Sequence, residues 1–255
     1  VYIYKLYNVT QFFTRFWLLC LGLRPEYTIY TMTPKITILT LAIGADYRKS
    51  LAKALNSKQL YADKHGYKYI QAGEEWWDRN RPIAWSKVPC LLDLLSTLEE
   101  GALVWQSDAD VLITNPELRL EDHILPLLPH DKDMLLMYDA CHHVNSGNIL
   151  MRNSPWTRDF WRRVNERTDC TFHIWWENKA ICDLLEENKD DANHVYVSNQ
   201  HKRFNAYIMG FPGEPLWTPG DFLVHFAGVY GLDKMVALIE DIEAGKTPRR
   251  DMYNP

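Results

Sequence analysis

The sequence predicts an α/β domain built on a mixed, mostly parallel central sheet flanked by helices. Three observations predict it. A β-rich apolar run from Ile36 to Ile43 ends at Gly44. A helical spacing of Leu51, Leu55 and Leu60 follows and stops at Gly66. Short apolar segments then alternate with helical ones along the rest of the chain. A strand, a crossover helix and a second strand favour parallel pairing, because the right-handed crossover returns the chain beside its own start.

The elements follow in order. Ile36 to Ile43, rich in Ile, Leu and Thr, is a buried first strand closed by a glycine turn. Arg48 to His65 is a helix with Gly66 as its C-terminal stop, and Tyr67 to Gln71 a short second strand. A polar loop bearing tryptophans, Glu74 to Pro82, precedes a helix over Trp85 to Glu100. Ala102 to Gln106 is a strand that runs into Ser107-Asp108-Ala109-Asp110. Further strands are expected at Met134 to Tyr138, Asn148 to Met151, Val195 to Val197 and Phe222 to Phe226. Helices are expected over Pro155 to Glu166, Glu177 to Glu187 and Leu232 to Ala244. With no internal repeat and no low-complexity linker, residues 35–255 are expected to form one domain, preceded by an N-terminal extension over residues 1–34.

Composition narrows the functions. The 255 residues carry a net charge of -5 with both signs interspersed, so no basic stripe is available to neutralise a nucleic-acid backbone, and nucleic acid is not an expected partner. The ten tryptophans and fourteen tyrosines offer faces that stack on sugar rings as readily as they fill a core. The five cysteines, Cys20, Cys90, Cys141, Cys170 and Cys182, lack C-x-x-C spacing, which argues against a zinc site and against a dense disulfide framework. The apolar run Phe16 to Leu23 is shorter than the ~20 residues of a membrane span. It reads as a helix lying on the domain or as the remnant of a membrane anchor, so membrane association through the N-terminal segment is one expectation. Asn8-Val9-Thr10 is the only N-glycosylation sequon.

The pattern Asp-x-Asp occurs twice. Asp108 and Asp110 follow the apolar Leu103-Val104-Trp105-Gln106 at the carboxyl end of a strand, where ligands bind in open α/β sheets. Asp131 and Asp133 lie in a polar loop with the strand after them, and read as a solvated turn. Two carboxylates on a strand-end turn suit a hard divalent cation such as Mg²⁺ or Mn²⁺ with positions left for phosphate oxygens. They equally suit a pair of capping aspartates. His225, between Phe222-Leu223-Val224 and Phe226-Ala227-Gly228, is a candidate ligand or a packed, hydrogen-bonded imidazole. Lys87 alone reads as an exposed helix lysine. Asn145-Ser146-Gly147 reads as a turn leading into a strand, and Glu177 as a helix N-terminal acid favoured by the dipole.

Together these blocks resemble a known family. Trp85-Ser86-Lys87-Val88-Pro89, then Val104-Trp105-Gln106-Ser107-Asp108-Ala109-Asp110, then Asn145-Ser146-Gly147 with Met151-Arg152-Asn153-Ser154-Pro155-Trp156, and finally Gly220 to Gly228, are similar in kind and order to glycosyltransferase family 34. That family holds fungal α-galactosyl- and α-mannosyltransferases and plant xyloglucan xylosyltransferases. The resemblance runs from about Ile36 to Gly231.

It implies a GT-A fold, that is, a Rossmann-like nucleotide-sugar-binding domain. It also implies retaining transfer to a glycan hydroxyl from a nucleoside-diphosphate sugar, with UDP expected ahead of GDP in a family that uses both, and with Mn²⁺ or Mg²⁺. Asp108, Asp110 and His225 would be the metal ligands. Gly44, Lys87, Asp108, Ala109, Asn145 and Gly228 would surround the donor, with Lys87 toward its phosphates, Asn145 on a sugar hydroxyl and Gly228 allowing close backbone approach. Glu177-Asn178-Lys179-Ala180-Ile181 stands where the family has Asp-Gln-Ser-Ala-Leu, each of the first two residues altered by one methylene. Asn178 would face the anomeric carbon and Glu177 would orient hydroxyls. The family's eukaryotic members imply the Golgi lumen, with a cytosolic or virus-encoded enzyme as the other expectation.

Two further functions are open from sequence. A sugar-1-phosphate nucleotidyltransferase would need a Gly- and Arg-rich loop after the first strand, and Gly44-Ala45-Asp46-Tyr47-Arg48 is poor in glycine. A non-catalytic sugar-binding module would use the tryptophans but would need neither the Asp-x-Asp pair nor the distant histidine.

Overall fold

The computed structural model describes residues 35–139, 143–210 and 213–246. The N-terminal apolar run, the sequon, Cys20 and Cys141 lie outside the described residues.

Strand β1 (Ile36–Leu41) is followed by helices α1 (Ala45–Ser50) and α2 (Ala52–His65) and by β2 (Lys68–Ala72). The single helix predicted over Arg48 to His65 is thus two, broken at Leu51, whose φ of -96° and ψ of 15° leave the helical region. Gly66 ends α2 in the left-handed conformation, as its sequence position predicts. The buried face of α2 carries Leu55, Lys58 and Ala62, whereas Leu60 is exposed. Leu60 lies half a turn off the stripe, nine residues after Leu51.

A 3₁₀ turn over Ile83–Ser86 leads into α3 (Lys87–Thr97). Pro89 explains why the α-helix starts later than Trp85: proline has no N–H to donate and fits only a first helical turn. Strand β3 (Leu103–Ser107) is fully buried, and after the Asp108 turn comes β4 (Val111–Ile113), which was not predicted. Then follow β5 (Met134–Tyr138) and β6 (Val144–Arg152). The segment Asn145-Ser146-Gly147, expected as a turn, lies inside β6. Its backbone pairs with β5 through Met137↔Asn145 and Tyr138↔Val144, across a bulge between Leu135 and Met137.

Helix α4 (Pro155–Glu166) begins where the sequence predicts, with Ser154 accepting from the Thr157 N–H and Pro155 at the first position. Helix α5 (Trp176–Glu187), β7 (Val195–Ser198), β8 (Leu223–His225) and α6 (Leu232–Glu243) complete the larger elements.

The main sheet has the order β2-β1-β3-β6-β5-β7. β1 pairs in parallel with β2 and β3, and β5 in parallel with β7, while β6 is antiparallel to both of its neighbours. The sheet is therefore mixed and mostly parallel, as expected. One face is covered by Trp85, Val88, Leu91, Phe160, Trp161 and Ile181, and the other by Tyr61, Trp105, Phe204 and Phe222. Each such side chain contributes about 1.5–3 kcal/mol on full burial. A separate two-stranded sheet joins β4 to β8 with Val111 opposite His225. This small sheet brings the histidine from the end of the domain to the Asp108–Asp110 turn.

Candidate functional site

Asp108 leaves β3 with its N–H donated to the Gly147 carbonyl at 2.8 Å. Two residues on, the Asp110 carbonyl accepts from the Phe226 N–H at 3.0 Å, just past β8. The turn is thus fastened on both sides, and ligand atoms of Asp108, Asp110 and His225 lie within 4.8 Å of one another. His225 Nε2 stands 3.4 Å from Asp110 Oδ1.

The tautomer of His225 follows from the hydrogen bonds behind it. The Trp105 indole N–H can only donate, and it donates to Asn148 Oδ1 at 2.9 Å, as does the Ser107 hydroxyl at 3.0 Å. That fixes the Asn148 amide, whose Nδ2 donates to Asn205 Oδ1 at 3.1 Å. Asn205 in turn gives its own Nδ2 to Asn145 Oδ1 at 2.9 Å and to the Tyr207 hydroxyl at 2.8 Å. Asn205 Oδ1 also lies 2.8 Å from His225 Nδ1, so Nδ1 carries a proton and donates it. Nε2, which faces Asp110, is left free to act as a ligand. Gly147 makes room for the ring: a Cβ there would overlap His225 Cε1 and lie 2.8 Å from Nδ1.

Two lysines meet the turn from different directions. Lys58, fully buried on α2, donates to the Val111 carbonyl at 2.6 Å and, more weakly, to that of Ala109 at 3.4 Å. Burial pushes its pKa down to about 7, against the opposing pull of Asp110 and Asp108. Lys87, at the start of α3 and only 8% exposed in its side chain, lies 2.8 Å from Asp108 Oδ1 and 2.8 Å from Glu177 Oε1. Burial would lower its pKa, but the two carboxylates outweigh burial and hold the ammonium charged well above its ordinary range. The sequence expectation of an exposed helix lysine is therefore corrected. Burial likewise works against the charge of Asp110, and His225, when its Nε2 carries a proton in place of an ion, overcomes it together with Lys58, leaving the carboxyl below its usual value.

Glu177 is buried on α5; its Oε1 accepts from the Ser146 hydroxyl at 3.0 Å, and its Oε2 has no hydrogen-bond partner. Asn178 Nδ2 donates to the Val144 carbonyl at 2.8 Å, and its Oδ1 is buried without a partner. A cleft of about 500 Å³ opens on this arrangement, lined by Ile43, Tyr47, Lys87, Asp108, Asp110 and Trp176, with Ala109 also in its wall. Glu177, Asn178, His225, Asn145, Gly44 and Gly228 do not line it. The Gly44 N–H is taken by Glu74 at 2.9 Å, and Gly228 is an exposed turn residue with φ of 75° after β8. The second Asp-x-Asp pair is elsewhere, with Asp133 bonded to His194 Nδ1 at 2.6 Å.

Two carboxylates and one imidazole with a bare Nε2 form a hard, oxygen-rich donor set that suits Mg²⁺ or Mn²⁺. Sequence reasoning missed Gly147, Asn205 and Lys58. Only Lys58 carried a signal, since Leu51, Leu55, Lys58 and Ala62 share one helical stripe on which a lysine is out of place.

Comparison with known proteins places the architecture. A glycosyltransferase involved in the glycosylation of the major capsid of PBCV-1 superposes with a TM-score of 0.64 at 16% identity, over 81% of this chain and 99% of that one. The WbbM bifunctional glycosyltransferase superposes with a TM-score of 0.52 at 10% identity, over 89% and 53%. The fold is of the GT-A type.

The galactosyl transferase GMA12/MNN10 family model matches residues 32–132, a stretch that includes Asp108 and Asp110 and stops short of His225. An uncharacterized α-1,2-galactosyltransferase of Schizosaccharomyces pombe is 24% identical over 77% of this chain and 63% of its own length. The probable α-1,6-mannosyltransferase MNN10 of Saccharomyces cerevisiae is 24% identical over 58% and 42%, and xyloglucan 6-xylosyltransferase 4 of Arabidopsis thaliana 24% over 63% and 35%. Over these stretches the chain is similar to members of glycosyltransferase family 34. It spans 63%, 52% and 55% of the length of the three fission-yeast relatives it matches first.

Proposed function

We propose that the chain is a retaining glycosyltransferase that moves a sugar from a nucleoside diphosphate, UDP rather than GDP, to a hydroxyl of a glycan acceptor, giving an α-linkage. The observation that carries this reading is the convergence of Asp108, Asp110 and His225 Nε2, with the two aspartates in the wall of the cleft and the buried imidazole directly behind Asp110. These three would hold Mn²⁺ or Mg²⁺, which when bound supplies Lewis-acid neutralisation of the departing diphosphate. Lys58 and the Phe226 N–H fix the backbone of the turn. Asn205 keeps the imidazole in the ligating tautomer.

Glu177, whose Oε2 is buried and unpartnered and whose Oε1 is held by Lys87, would accept from a sugar hydroxyl on the family resemblance. Asn178, assigned to the anomeric carbon by the family resemblance, keeps an unpartnered Oδ1 but lies outside the lining of the cleft, so that its role as the dipole for developing positive charge rests on the resemblance. Residues 1–34 remain the proposed extension, with membrane association resting on the apolar run Phe16 to Leu23 and action in the Golgi lumen on the family resemblance. Among the described residues no helix is long and apolar enough to cross a membrane.

The test is a thermal-shift and calorimetric screen of UDP-galactose, UDP-glucose, UDP-xylose and GDP-mannose, each with and without Mn²⁺. One donor is expected to bind only with the ion. Asp110→Ala is expected to lose that binding while keeping its thermal transition. Donor affinity indifferent to both Mn²⁺ and Asp110 would reject the reading.

A further inference from the structure

Trp176 opens α5 with φ of 46°, and among the described residues it is the only non-glycine in the left-handed region. That conformation is unfavourable for a bulky L-residue and persists where its surroundings fix it. Here the fixing bonds are visible: the Trp176 N–H donates to the His173 carbonyl at 2.9 Å, and the next turn is closed by the Asn178 N–H on the Trp175 carbonyl at 3.0 Å. The strained backbone delivers the indole into the wall of the cleft that holds Lys87, Asp108 and Asp110. The residue remains 44% exposed, so the ring is not committed to the core. Phe172, Ile174 and Trp175, just before it in the chain, are exposed as well.

We propose that Trp176 is the stacking platform for the pyranose ring of the glycan acceptor, a role that rests on the glycosyltransferase reading above. Three features point to this ligand. The apolar C–H face of a pyranose packs on an aromatic face, whose negative quadrupole attracts it. The ring is directly followed in sequence by Glu177, a buried residue behind the cleft whose Oε2 has no hydrogen-bond partner. The solvent-open indole suits a neutral sugar ring, while the charged groups of the cleft suit the donor diphosphate and its ion.

The test compares the parent with Trp176→Gly, which suits the positive φ and keeps the helix start, and with Trp176→Phe, which keeps a ring. Saturation-transfer NMR reads binding of methyl α-mannopyranoside, methyl α-galactopyranoside and methyl β-glucopyranoside, with and without UDP and Mn²⁺. Calorimetry reads UDP affinity separately. The expected result is an affinity for one glycoside about tenfold weaker in Trp176→Gly and largely restored in Trp176→Phe, with a similar fall in the ratio of transfer to donor hydrolysis. Equal glycoside binding in parent and Trp176→Gly, or no glycoside binding in the parent, overturns the proposal. A fall in UDP affinity as large as the fall in glycoside binding also overturns it, by assigning the ring to the donor. Absence of Mn²⁺-dependent UDP binding in the parent would reject the glycosyltransferase reading instead, and the nucleotide-free glycoside titration would still decide the role of Trp176.

Discussion

Substituting Asn205 with alanine tests whether a residue that touches neither the proposed ion nor the cleft governs metal affinity. The change removes the acceptor for His225 Nδ1 at 2.8 Å and for Asn148 Nδ2 at 3.1 Å, and the donor to Asn145 and Tyr207. Asn205 is fully buried, so the stranded donors cost about 1–3 kcal/mol each, less whatever a water filling the space restores, or about 2–4 kcal/mol of stability in all. Freed of its acceptor, the imidazole can place its proton on Nε2 and turn away from Asp110. Loss of such a supporting partner typically costs about 10–100-fold in metal affinity, equivalent to about 1.4–2.7 kcal/mol. The assay is Mn²⁺ titration calorimetry on the parent, Asn205→Ala, His225→Ala and the double variant. If Asn205 acts through His225, its effect in the His225→Ala background shrinks to less than about threefold, because the two share one interaction. Unchanged Mn²⁺ affinity in a folded Asn205→Ala protein, or strictly additive losses, would refute the reasoning.

Other substitutions probe neighbouring claims. Gly147→Ala forces a methyl into the His225 ring; it is expected to weaken Mn²⁺ binding about as much as His225→Ala does and to lower stability by about 1–3 kcal/mol, and full Mn²⁺ affinity would show that the ring does not need that space. Asn178→Ala is expected to lower kcat by about 10²–10³ with little change in donor affinity, and an α-linked product with unaltered kcat would shift the role to Glu177. Asp191 is buried, and although burial favours its protonated form, Arg163 at 2.7 Å and the Trp156 indole N–H at 2.9 Å hold its pKa below the ordinary value. The unfolded chain therefore takes up the proton first as pH falls, so this stabilisation is complete above the unfolded value of about 3.9 and is lost as pH drops through the folded one. Asp191→Asn is expected to cost about 3 kcal/mol at pH 7 and to flatten the fall of Tm below pH 4, and parallel Tm–pH curves would contradict this.

The legible parts of the fold are those whose signal is local. Met134–Tyr138 and Pro155–Glu166 were bounded correctly because an unbroken apolar run and a Ser-Pro cap announce themselves in sequence. β4 was missed because three residues are too few to show a period, and it exists only through pairing with β8 some 110 positions later. For the same reason Asn145-Ser146-Gly147 read as a turn: its residue types favour turns, and the two flanking strands that keep it extended are tertiary facts. The chain from Trp105 through Asn148 and Asn205 to His225 joins four distant positions by side-chain bonds, and no single asparagine in it has a distinguishing local pattern. Asp108 and Asp110 stand out in the sequence because position at a strand end is itself a local property. Lys87 shows the opposite limit, since both partners that bury it come from elsewhere in the chain.

The charges in the cleft bear on the order in which an ion and a donor would enter. Asp108, Asp110 and Glu177 bring three negative charges, and Lys87 brings one positive charge already shared between Asp108 and Glu177. Lys58, buried behind the turn with its pKa near 7, supplies at most a fractional second one. The face offered to a diphosphate is therefore negative. Two unit charges about 5 Å apart at an effective dielectric of about 20 interact by roughly 3 kcal/mol, so a diphosphate approaching this face alone is repelled by an energy comparable to two orders of magnitude in affinity. A divalent cation on Asp108, Asp110 and His225 reverses the sign of that face. On the proposed reading, the ion enters before or together with the donor. Lys87 then serves as the fixed counter-charge that lets Asp108 and Glu177 stand close together, and its reach toward the phosphates would require leaving both partners. Lys87→Met should accordingly raise the affinity for Mn²⁺ alone by exposing an unpaired Asp108, whereas a lysine serving the phosphates would leave that affinity unchanged; Mn²⁺ titration in the absence of nucleotide separates the two.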